Sequence, residues 1–138
     1  MAKYFMKNKP SRVVLDWLKK ADSDFGFAEA AFKEFDDFYS QMCILCHDAA
    51  EKYLKAYLVH RKKRYQRIHD LVTLLKDCIM VSDDKDTFSD LENCCRILNN
   101  YYTPLKYPSH FPFATEKQAE EAIRIAREVG TLIKSKIL

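Results

Sequence analysis

Glycine is almost missing from this chain: there are two in 138 residues, Gly26 and Gly130, and both fall inside stretches of helical periodicity. A loop that wraps its backbone around phosphates needs glycines where side chains would collide, so P-loop and Rossmann sites are excluded. Proline is scarce too, and three of the four (Pro104, Pro108 and Pro112) sit close together. No segment approaches the roughly 20 apolar residues needed to span a bilayer, and Met1 to Lys9 carry no apolar run of the secretory kind. The five cysteines are an odd number, and with no leader they read as reduced thiols in a cytoplasmic protein with no membrane contact. The net charge of +3 is too small for a protein that coats nucleic acid, so any contact with nucleotide or RNA must come from a local patch.

One local absence supplies that patch. From Lys52 to Arg67 there is no acidic residue, while Lys52, Lys55, Arg61, Lys62, Lys63, Arg64 and Arg67 are all basic. A block of one sign creates a potential that attracts phosphate. The competing explanation is a solvated helix end whose cations satisfy terminal carbonyls. The functional reading requires these charges to gather at one end of the fold without carboxylate partners.

What is abundant is helical periodicity. Residues 1–10 read as a basic N-terminal arm, and 11–138 as one bundle domain. Ser11 is a plausible N-cap, and Val14, Leu18, Ala21, Phe25, Ala28, Phe32 and Phe35 make one stripe over about 12–35. A second helix is expected over 38–63. Its apolar face is broad enough to meet more than one neighbour, and Ala49 and Ala50 allow close approach. A short third helix is expected over 69–79. A fourth should run from a Thr87-x-x-Asp90 capping box to about Tyr102, and a last one from a Thr115-x-x-Gln118 box to the C-terminus. No segment alternates in a way that beats the helical period. The expected fold is all-α: an up-and-down helical bundle of four main helices plus one short helix.

The chemistry-bearing residues each admit a plainer role. Tyr102 could stack a base while Lys106 holds a phosphate, whereas Tyr107 and Pro108 read first as a plug and a stiffener of the bundle end. His69 could be a general acid–base, but a histidine at a helix start is more often a cap. His47 and Asp48 point about 100° apart on a helix, so by themselves they are not expected to form one catalytic pair. His47 and Glu51 share a face at i,i+4, where a surface pairing is expected. Cys43-x-x-Cys46 lacks a matching second pair for zinc, so its thiols read as core filler and no metal or other cofactor is assigned.

Three segments stand out together: Ala49-Ala50-Glu51-Lys52-Tyr53-Leu54-Lys55-Ala56, then His69-Asp70-Leu71, then Tyr102-x-x-x-Lys106-Tyr107-Pro108. With Trp17, Ala21 and Asp24 ahead of them, their order resembles the HEPN domain family of prokaryotes and higher eukaryotes, over about residues 12 to 135. The resemblance implies an up-and-down helical bundle, often dimeric, linked to nucleotide or RNA binding and often encoded beside a minimal nucleotidyltransferase. One branch of the family consists of metal-independent ribonucleases with an Arg-x(4–6)-His motif near the start of the last core helix. This chain departs from the pattern. Lys106 stands where similar stand-alone members have arginine, keeping the charge but losing the bidentate fork. Cys46-His47-Asp48 replaces the usual glutamine pair. Arg64 and His69 have the four-residue gap, but at the junction of the second and third helices.

The leading expectation is a homodimeric bundle that binds nucleotide or RNA phosphate through Lys52, Arg61, Lys62, Lys63, Arg64, Arg67 and His69, with Tyr102, Lys106 and Tyr107 contributing. A minimal nucleotidyltransferase-type partner goes with it. Two alternatives stay open: a toxin-like endoribonuclease using His69 or His110, and an interaction module that docks an acidic protein.

Overall fold

Ser11 opens the first helix as expected, its Oγ accepting the Val14 backbone N–H at 3.2 Å. In this computed structural model, which describes residues 9–102 and 113–138, α1 runs Arg12–Glu34. Its innermost contacts come from small residues: Ala21, Ala28 and Ala31 are buried beside Val14 and Leu18, while Phe25 and Phe32 pack only partly. The stripe's last member, Phe35, is exposed because the backbone turns extended there and the helix has ended.

The core is organised by α2 (Tyr39–His60), and its broad apolar face packs against several other helices. Antiparallel α1 lies on one side, where Lys52 reaches back to Asp24 and Tyr53 to Asp22. On another side lies α6 (Glu116–Ile137), running in the same sense as α2, with Tyr39 near Glu116 and Gly130 against Tyr53. Gly130 is needed for that close approach, since a Cβ there would lie 2.8 Å from the Tyr53 ring. Thr115 and Gln118 form the expected capping box, and Ala119, Ala122, Ile123, Ala126, Val129, Ile133 and Ile137 are all buried.

Three expectations need correction. First, α2 stops at His60, not 63. Lys62 takes a left-handed φ of 59°, and the Lys63 N–H returns to the Leu58 carbonyl at 2.8 Å. That is a Schellman closure with lysine at the position glycine usually holds. Second, residues 61–70 form an irregular strap that folds back along α2. The Tyr65 ring sits 5.4 Å from Trp17 and 5.3 Å from the Lys55 ammonium. Helix α3 (Leu71–Val81) therefore advances in the same sense as α2, with Cys78 at Leu54 and Asp83 at Arg61, so strict up-and-down alternation fails at this step. Third, the expected fourth helix is two pieces, α4 (Lys85–Ser89) and α5 (Glu92–Asn99). The Leu91 N–H bonds back only three residues, to Phe88, which tightens the chain between them. Thr87 does not cap; its hydroxyl donates to Asp84, which precedes the helix.

Every element among the described residues is helical, giving three long helices and three shorter ones in place of four plus one. No described helix is long and apolar enough to cross a membrane. Most of the basic arm (residues 1–8) and the segment carrying Pro104, Lys106, Tyr107, Pro108, His110 and Pro112 lie outside the described residues.

Candidate functional site

Where the strap passes the middle of α2, polar side chains are packed into an otherwise apolar face. Glu51 and Lys55 are one turn apart and almost fully buried, with Lys55 Nζ 2.8 Å from Glu51 Oε2. The other oxygen of Glu51 accepts from His69 Nδ1 at 2.9 Å. The strap's carbonyl at His69 accepts from His47 Nε2, also at 2.9 Å. Tyr102, at the end of the α5 segment, stacks on the His69 ring at 4.6 Å and lies 4.9 Å from the His47 ring. Asp48, Glu51, Lys52, His69 and Tyr102 together line an open pocket of about 210 Å³.

The start of α3 fixes the strap's far end. Asp70 caps the helix by accepting the Val72 and Thr73 N–H groups, and Asn99 of α5 donates to Asp70 while accepting the Leu71 N–H. Burial works against the Asp70 carboxylate, but the hydrogen bonds from Asn99, Thr73 and Val72 outweigh it and hold the carboxyl below its usual value. The cap is thus Asp70, and His69 lies just before the helix. His69 is half-exposed, and the Glu51 carboxylate orients its ring through Nδ1.

The basic run divides into two groups. Lys55 is committed to Glu51, and Lys52 is paired with Asp24, so neither joins a free cluster. Arg61 lies over the Tyr57 ring and 3.8 Å from the exposed carboxylate of Asp83. Lys62, Lys63, Arg64 and Arg67 form no ion pair with any described carboxylate; all are exposed except Lys63, which is half-buried. Burial, then the Arg61 charge, holds His60 below its usual value, so at neutral pH it adds little charge to this group. The structure thus gathers four to five cations on one strap, places His69 and Tyr102 at the strap's end, and removes Lys52 from the set. Lys106 and Tyr107 are outside the described residues.

Two histidine expectations change. His47 is fully buried, so it makes no surface pair with Glu51. His47 and Asp48 do meet, at 3.3 Å between Nδ1 and Oδ1. What sequence reasoning passed over is the pairing of Glu51 with Lys55. Its signal was present: an i,i+4 charge pair set among Ala50, Tyr53, Leu54 and Leu58, where a solvated pair has no place. All five cysteines are free and four are buried; burial pushes the Cys43 and Cys95 thiols up to about 12, which suits core filler.

A family model described as HEPN domain matches residues 14–136. Among solved structures, the chain is similar to TT1696 from Thermus thermophilus, at 27% identity and a TM-score of 0.79, covering 92% of this chain and 100% of that one. No curated protein matches the chain.

Proposed function

Because the chain belongs to the HEPN domain family, we propose that it binds the phosphates of a nucleotide or RNA along the strap between α2 and α3. The observation that carries this reading is the set Lys62, Lys63, Arg64 and Arg67, which has no described carboxylate to neutralise it. Lys62 adds support, since its left-handed backbone would cost less with glycine, yet a cation occupies the position. Tyr102 and His69 offer a flat stacked surface at the strap's end where a base can lie.

Fluorescence anisotropy with a labelled single-stranded RNA tests the reading. Affinity should fall steeply with salt. Replacing Lys62, Lys63, Arg64 and Arg67 with alanine should flatten the log–log salt slope by about 3, given roughly 0.7 per phosphate contact on single strands. A slope unchanged by the four substitutions removes the strap from the interface.

The bundle acts as a homodimer and with a minimal nucleotidyltransferase-type protein, as the resemblance implies. Exposed Phe27 and the adjoining exposed rings of Phe35 and Phe38 support self-association. Light scattering should give twice the 16.3 kDa chain mass, and a nucleotidyltransferase should co-purify from the native host.

A second reading, metal-independent RNA cleavage, is favoured by one feature: Glu51 orients His69 as carboxylates orient catalytic histidines. It predicts that unstructured RNA is cut in the presence of chelator and that His69→Ala stops the cutting; intact RNA after prolonged incubation rejects it.

A further inference from the structure

The contact between His47 and Asp48 is long for a hydrogen bond, at 3.3 Å between Nδ1 and Oδ1. The His47 Nε2 faces a backbone carbonyl, that of His69, at 2.9 Å. A carbonyl oxygen only accepts, so Nε2 carries the proton. In the neutral ring Nδ1 is then a bare lone pair, fully buried, and it faces the Asp48 carboxylate at 3.3 Å. Two acceptors turned towards each other repel unless something positive lies between them. Glu51, one turn along α2, completes the group: single ligand atoms from His47, Asp48 and Glu51 all lie within 4.8 Å of one another.

We propose that His47, Asp48 and Glu51 form a binding site for a first-row divalent cation, with Zn²⁺ the best match. One imidazole nitrogen and two carboxylate oxygens are a donor set that such ions take readily. The 3.3 Å separation is longer than a good N–H···O bond. It matches the roughly 3.3 Å that separates two ligands bound tetrahedrally to one ion at about 2.0–2.1 Å. The bond from Nε2 to the His69 carbonyl is the outer-shell contact that metal-bound histidines usually make, fixing tautomer and ring orientation together. The open pocket bordered by Asp48, Glu51 and His69 gives an ion a route to the two carboxylates. Nearby cations do not fill the site. Lys52 is paired with Asp24, while Lys55 and His69 Nδ1 each occupy one lone pair of Glu51 and leave the others for an ion. This site does not depend on the strap's binding phosphate.

Calorimetric titration of chelator-treated protein with ZnCl₂, under a phosphine reductant that keeps the thiols reduced, is the test. One Zn²⁺ per chain is expected, with affinity falling at least tenfold in Asp48→Asn. That side chain is partly exposed, so the variant should fold, and circular dichroism checks it. Nitrogen-15 spectra should show Nδ1 of His47 moving on Zn²⁺ addition while Nε2 keeps its proton. Equal Zn²⁺ affinity in wild type and Asp48→Asn would move the ion elsewhere on the protein and overturn the proposal. A protonated Nδ1 in saturating Zn²⁺ would overturn it as well, because a proton would then be what separates the two acceptors.

Discussion

Glu51→Ala is expected to lower unfolding free energy by about 3–5 kcal/mol, the usual cost of removing one member of a buried ion pair. The loss exceeds that of a surface pair because Lys55 cannot easily reach water; it is almost fully buried, with its ammonium 5.3 Å from the Tyr65 ring. Without Glu51 that charge keeps its desolvation penalty and loses the partner that offset it. His69 loses its orienting carboxylate in the same substitution, so the strap should loosen along with the core. The pair as such need not be strongly stabilising. A Glu51→Leu, Lys55→Met double variant removes both charges and keeps the volume, and it should recover most of the loss. Urea denaturation read as a shift in midpoint at constant slope measures both. If Glu51→Ala cost under about 1 kcal/mol, Lys55 would have to escape to solvent, and the pair could not be holding the strap.

Much of this fold is legible from spacing. The last helix runs from Thr115 as its sequence indicates, because a capping box and a long run without helix breakers agree. Misreadings occur where a connection, not a stripe, decides the path. Nothing in residues 61–70 says that the chain doubles back along α2; that depends on Tyr65 finding Trp17, a partner 48 positions away. The same long-range packing explains the helix boundaries. Lys62 adopts a backbone that propensity disfavours, and Asp70 takes the cap from His69 because Asn99 arrives to support it.

The site was half legible for a related reason. The run of like charges is a property of sequence, so Lys62, Lys63, Arg64 and Arg67 could be named without coordinates. Which charges are cancelled is a property of the fold. Lys52 looked like part of the run until α1 brought Asp24 to it, and Glu51 looked like a helix-surface residue until the strap covered it. His47 is the clearest case. On a helical wheel it diverges from Asp48, yet the Asp48 carboxylate has enough reach to meet Nδ1 while the strap pins the opposite nitrogen.

Phe88→Ala should be equally costly, by about 3–5 kcal/mol, through a different mechanism. Phe88 is completely buried and is the one buried residue of the five-residue α4. Helices that short have no stability of their own, so this ring is what seats the segment. It packs against the buried Tyr57 ring at 4.8 Å, and Tyr57 in turn lies beneath the Arg61 guanidinium at the start of the strap. Removing the ring leaves a cavity next to Tyr57 and frees α4, whose remaining ties are polar: Lys136 to Asp84, and Lys85 to the last carbonyls of α3. Such exposed bonds cannot replace a buried aromatic contact. The expected result is a large fall in the urea midpoint together with fast amide exchange across 84–91, while the α1–α2 pairing keeps its protection. Phe88→Leu, which retains most of the volume, should lose much less. If the alanine variant cost under about 1 kcal/mol, with protection across 84–91 intact, α4 would be held by its polar ties, and the support beneath Arg61 would have to come from elsewhere in the bundle.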